Sequence, residues 1–152
     1  MNKYVRFGAM VVTSTVVMFG LMYLNTYALG HVSFSQTRAW MALLMGATMA
    51  MLMLAFMLHM YQRKGLNLAI FLASAVLFAA SLWLVRSQST VGDVSWMKAM
   101  VPHHSIAILT SERAHLSDPR VRRLADGIIE AQRREIAEMQ ALIKELEGRK
   151  PE

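Results

Sequence analysis

The chain has 152 residues, 55% of them hydrophobic, with a formal net charge of +6 and no cysteine. Length alone suggests one domain, yet the charges divide it in two: no Asp or Glu precedes Arg86, and all ten acids follow it. The positive excess therefore belongs to the apolar half, whereas a nucleic-acid-binding protein would gather it on a soluble face, so that class is excluded.

Three apolar runs fill the first half: about 23 residues over 7–29, about 22 over 40–61 and about 19 over 67–85, each long enough to cross a bilayer as a helix. A soluble helical core is a poor alternative, because its helices would keep a polar face that these runs lack. The first run is long for a signal peptide, and Tyr27-Ala28-Leu29-Gly30 is not a small-x-small cleavage site, so it is expected to stay attached. Lys3 and Arg6 precede the first run, and Arg63 and Lys64 lie between the second and third. Arg38 and Arg86 flank the other side. Basic residues are retained in the cytoplasm, which puts the amino end inside and the tail after Arg86 outside. The expected location is a bacterial inner membrane with the tail in the periplasm, an oxidising space that suits a chain without cysteine.

In the second run Met41, Met45, Met49, Met53 and Met57 recur every fourth residue beside the row Ala42, Gly46, Ala50. Small residues let helix backbones approach closely in lipid, with flexible Met filling the space alongside; that packing role is preferred to a thioether ladder carrying metal across the membrane. His31 in the outer loop, with His59 and Met60 near the inner end, are the polar or soft groups such a ladder would have to use.

Residues 87–92 form a polar linker, and Thr90 followed by Asp93 reads as a capping-box variant that opens a helix to about His115. Pro102 within it removes one backbone bond, frees the carbonyl of Lys98 and predicts a kink. Asp118 and Pro119 then suit the N-cap and first position of a second helix, which extends to about Glu147. The expected organisation is a three-span membrane domain over 1–86, the linker, a helical hairpin over 93–147 and a disordered end over 148–152.

Within the first tail helix, Met97-Lys98-Ala99-Met100-Val101-Pro102-His103-His104 places two thioethers ahead of two imidazoles. That donor set suits soft Cu(I), and Ag(I) by the same logic, whereas Zn(II) would want more nitrogen, oxygen or thiolate. The second helix carries an apolar stripe interrupted by Gln132 and Glu135, polar groups that need a partner if they face a packing surface. Folding the hairpin at Ser117 and counting outward at about 1.5 Å per residue brings Met97 level with Met139, Met100 with Glu135, and the His pair with Gln132. Core packing of Met97, Met100 and Met139, with His103 and His104 bonded to carbonyls at the kink, is the alternative. Asp93 and Glu135 are hard oxygens, expected to cap a helix and to steady an imidazole rather than to bind soft metal.

The run Asp93 to Ile108, with its double His, joined to Leu124-Ala125, Ile128-Ile129, Gln132, Glu135-Ile136 and Met139, resembles domain-of-unknown-function family 305, over about 55 residues of the tail. The resemblance implies a ferritin-like helical protein of the bacterial envelope associated with copper and silver, with Met97, Met100, His103, His104 and Met139 as the matching metal ligands. Two departures stand out: many members carry a further Met where Thr110 stands here, and longer members repeat the hairpin to complete a four-helix bundle.

The expected fold is therefore all-α: three transmembrane helices followed by an extracytoplasmic antiparallel hairpin, half of a ferritin-like four-helix bundle. A hairpin of roughly 60 residues buries too little surface to be secure alone, so a homodimer through the tail, or docking onto another envelope copper-handling protein, is expected. The expected function is non-enzymatic binding of Cu(I), or Ag(I), by a membrane-anchored protein of copper homeostasis or resistance. A metal-free membrane scaffold whose hairpin docks a partner is the alternative. More remote is a di-iron oxidase, suggested by the Glu-x-x-His spacing of Glu112 and His115.

Overall fold

The computed structural model describes residues 2–148, and among these every regular element is helical. Five α-helices follow one another: α1 (Lys3–Leu21), α2 (Gln36–Phe56), α3 (Lys64–Ser87), α4 (Asp93–Arg113) and α5 (Pro119–Gly148). Short 3-10 turns lie at Leu29–His31 and Leu58–Met60. The end expected to be disordered falls, from residue 149 onward, outside the described residues. The chain divides into two compact units: residues 1–22 with 37–90, and residues 23–36 with 91–152.

In the first unit α1, α2 and α3 are each long and apolar enough to cross a membrane. Their apolar side chains point largely outward: Val12, Val16, Leu72 and Val76 are all more than half exposed. The inner face is built instead from small residues, Ala42, Gly46, Ala47 and Ala50 on α2 and Ser74 and Ser81 on α3. A Cβ at Gly46 would come within 2.3 Å of Thr15 Oγ1, so α1 and α2 meet where a side chain is missing. The neighbouring Met ridge is divided. Met53 and Met57 pack against Phe7, Ala50, Leu54 and Tyr61, and Met45 and Met49, with Met53 at the junction, line an apolar groove with Leu44, Thr48 and Leu52.

The helix bounds differ from the hydropathy runs. Asn2 caps α1 by accepting from the Tyr4 amide at 3.1 Å, and the helix stops at Leu21, well before the expected Leu29. Arg38 donates to the Met22 carbonyl there, supplying a donor and a positive charge to the last turn. Between α2 and α3 the turn is tied to the start of α1: the Tyr4 hydroxyl donates to Asn67 Oδ1 and accepts from the Arg63 amide, and the Asn67 amide donates to the Tyr61 carbonyl.

In the second unit α4 and α5 pack antiparallel around Met97, Val101, Ile108, Ile129, Ile136 and Met139. Pairs at either end fix the direction: Lys98 with Glu147, and Glu112 with Arg133. α4 starts at Asp93, as expected, with Gly92 rather than Thr90 at the N-cap position; Asp93 opens the first turn, where a carboxylate favours the helix dipole. α5 is capped as expected, with Asp118 Oδ1 accepting from the Arg120 amide at 2.8 Å.

Candidate metal centre

Pro102 lies buried inside α4, and the carbonyl it frees at Lys98 accepts the Ser33 hydroxyl at 2.6 Å. Ser33 belongs to the segment 23–36, which joins α1 to α2 and was not expected to touch the hairpin. Ser105, one turn further on, is completely buried. Its Oγ accepts from the Tyr27 amide at 2.7 Å and lies 2.9 Å from His31 Nδ1. Gln140 on α5 donates to the Gly30 carbonyl. The segment is thus a strap along one flank of the hairpin, held by backbone groups on both sides.

Inside the hairpin, Met97 and Met139 are buried in one apolar cluster, and Met100 packs against its edge. His104 stands two turns beyond Met97, about 10 Å along the axis. On α4 the order is Met97, Met100, His104, and the pairing of His104 with Glu135 brings Met139, one turn further along α5, nearer the level of Met100 than that of Met97, where it was expected. His104 Nδ1 is inaccessible and lies 3.0 Å from Glu135 Oε2, out of line for a hydrogen bond and without another partner among the described residues. Glu135 thus comes level with His104, where Gln132 was expected; Gln132 instead reaches along its own helix toward Glu135. His103 is exposed, its ring tilted against that of His104 with centroids 6.0 Å apart. Asp93 lies at the far end of α4 in a groove with Trp96, Met97, Leu142 and Leu146.

Burial pushes the His104 imidazole below its ordinary value, with the neighbouring His103 acting in the same sense and the Glu135 carboxylate opposing both. A neutral ring keeps a lone pair for a metal. Among the described residues no group of three or more His, Asp or Glu converges, so any metal held here would need the thioethers. Glu112, the acid of the Glu-x-x-His spacing, pairs with Arg133. Thr110, at the position of the missing Met, bonds back to the carbonyls of Ile106 and Ala107.

Residues 84–152 match domain-of-unknown-function family 305 (DUF305). The DUF305 match covers both tail helices, as the double-His and Gln-x-x-Glu-Ile-x-x-Met elements indicate. Over 144 residues the chain is 27% identical to "Uncharacterized protein L153" of Acanthamoeba polyphaga mimivirus, covering 90% of this chain and 93% of that one. The likeness therefore extends beyond the DUF305 segment into the three apolar helices. No solved structure matches the chain.

Proposed function

We propose that the protein is a membrane-anchored soft-metal-binding protein of a bacterial envelope, holding Cu(I), or Ag(I), in its extracytoplasmic hairpin as half of a ferritin-like bundle. The observation that carries this reading is the placement of Met97, Met100, Met139 and His104 along one helix interface, with the imidazole kept neutral by burial. Thioether and imidazole donors favour Cu(I) over Zn(II), and a buried apolar surround leaves few competing oxygens. His103, exposed beside these donors, is where an ion would enter. The role in this reading is binding and hand-over rather than catalysis, because thioethers and an imidazole supply coordination and not an activated nucleophile.

Basic flanks support the orientation. Lys3, Arg6, Arg63 and Lys64 lie at the start of α1 and around the start of α3, and Tyr4 and Asn67 tie these two places together. Docking of a partner protein without metal is the second reading, favoured by the exposed apolar side chains Trp96, Leu124 and Leu142 on the hairpin.

The test uses the whole chain in detergent micelles, titrated anaerobically with Cu(I) against a chromogenic chelator. Uptake that competes with the chelator, and that the double change His103→Ala and His104→Ala abolishes while helicity is retained, supports metal binding. Absence of uptake by the unaltered chain overturns it in favour of docking.

A further inference from the structure

The strap has two unlike sides. Polar groups turn toward the hairpin: the Ser33 hydroxyl and the Tyr27 amide donate to α4, His31 meets Ser105, and the Gly30 carbonyl accepts from Gln140. Its ends are fastened as well. The Ser35 amide donates to the Tyr23 hydroxyl at 3.0 Å, and Ser95 on α4 donates to Gln36. Apolar side chains turn the other way. Leu29 is 91% exposed, Leu24 78% and Phe34 66%, and Val32 and Tyr27 are exposed too. Over residues 32–35 the alternation is regular, with Val32 and Phe34 exposed, Ser33 half-buried and Ser35 buried, the period of an extended segment between unlike surroundings.

Residues 23–36 hold no Asp, Glu, Lys or Arg. A protein partner would find no full charge there to fix its register, whereas a bilayer interface favours this composition of apolar side chains and tyrosines. The chain itself brings the two together. Leu29, at the middle of the strap, is eight residues after the end of α1 at Leu21 and seven before the start of α2 at Gln36. Seven residues reach at most about 25 Å, so a strap tethered at both ends to membrane-crossing helices stays beside the lipid. Irregular backbone is not tolerated against hydrocarbon. Its place is therefore at headgroup depth, with only the side chains reaching the acyl chains.

Resting on the membrane-anchored reading, we propose that the strap binds the lipid surface through Leu24, Leu29, Val32 and Phe34, and that its hydrogen-bonded side thereby couples the hairpin to the bilayer. The lipid-facing side chains are not the groups that bond the hairpin, so the contact can be probed without loosening the tail.

With no cysteine in the chain, Leu29→Cys, Phe34→Cys, Val76→Cys and Glu138→Cys each carry one nitroxide label, on the full chain in vesicles of phosphatidylethanolamine and phosphatidylglycerol. All four positions are exposed, so no core residue is changed. Val76 reports a membrane-crossing helix, and Glu138, two residues from Gln140 and so on the opposite side of α5, reports the hairpin away from the strap. Power-saturation electron paramagnetic resonance compares collisions with oxygen, which concentrates in lipid, and with a water-soluble nickel chelate, which lipid excludes. The expected oxygen-to-nickel ratio at Leu29 and Phe34 is several-fold above that at Glu138 and close to that at Val76. If Val76 reads lipid while either strap label reads water, the lipid contact is overturned and the anchored reading stands. A strap label shielded from both reagents means that a second copy or another protein covers it, which also overturns the proposal. A Val76 label open to the nickel chelate overturns the anchored reading and this proposal together.

Discussion

Ser105 shows how much one side chain settles in this hairpin. It is fully buried, takes the Tyr27 amide and meets His31, so replacing it by Ala leaves a backbone donor without its acceptor. Losing a hydrogen bond of this kind costs about 0.5–1.5 kcal/mol, and Ser105→Ala should destabilise the tail by that amount, read as a lower melting temperature and faster hydrogen exchange at Tyr27. Unchanged exchange at Tyr27 would show that the strap is not held there. His104 gives a sign for the effect of acid. Its folded value lies below the ordinary one, so as pH falls through the ordinary imidazole value the unfolded chain takes up the proton first. Stability is then lost between the ordinary value and the lower folded one, and His104→Gln should flatten that part of the curve. The measurement is the melting temperature of the metal-free protein from about pH 7.5 down to about pH 5, across the ordinary imidazole range. A steeper loss in the variant would contradict burial as the dominant influence on this ring.

Elements were legible to different degrees. Three apolar runs announced α1 to α3 through composition, but their bounds depended on contacts that hydropathy does not register: Asn2 starts α1 early, and Arg38 meets its last carbonyls. The start of α5 was readable because Asp118 and Pro119 act locally. The start of α4 at Asp93 also stands where the end of the polar linker put it, although Gly92 rather than Thr90 takes the N-cap position. The small row on α2 was visible as a pattern, and its use appears at Gly46, where the Thr15 hydroxyl is also held to the Val11 carbonyl. Gly46→Ala must therefore displace a fixed side chain, at about 1–3 kcal/mol for such overpacking, and Thr15→Ala introduced alongside should recover most of the loss. Thermal unfolding of the two variants and their combination checks this, and additive losses would contradict the contact. At the other end of the chain, Arg120 holds the Asp118 carboxyl below its usual range. Its contribution is present above that range and disappears as pH falls through the lowered value, so Asp118→Ala should lower the tail's melting temperature at neutral pH and leave it unchanged in strong acid.

For the whole molecule, the decisive feature is that a segment between the first two apolar helices completes a unit formed by the last two. The freed Lys98 carbonyl could be read from Pro102, but not the identity of its donor: Ser33 lies 65 residues away, and no periodicity links a loop to a distant helix. The register across the hairpin was missed as well: counting from the turn put Gln132 opposite His104, where Glu135 stands, because the count does not fix how residues 114–118 between the helices are laid out. This organisation makes a firm statement about fragments. A tail of residues 90–152 keeps both helices and all five soft-donor candidates but lacks Tyr27, His31 and Ser33, so the buried faces of Pro102 and Ser105 would meet water. Such a fragment should show helical circular dichroism with a broad, early melting transition. Joining residues 23–36 to its amino end through a flexible glycine-serine linker should sharpen the transition and raise its midpoint, because the strap is then tethered at high effective concentration. Joining the same segment with Ser33→Ala should recover less, by about the 1 kcal/mol of one hydrogen bond. Equal melting of all three would mean that the two tail helices hold their core unaided and that the strap merely lies along them.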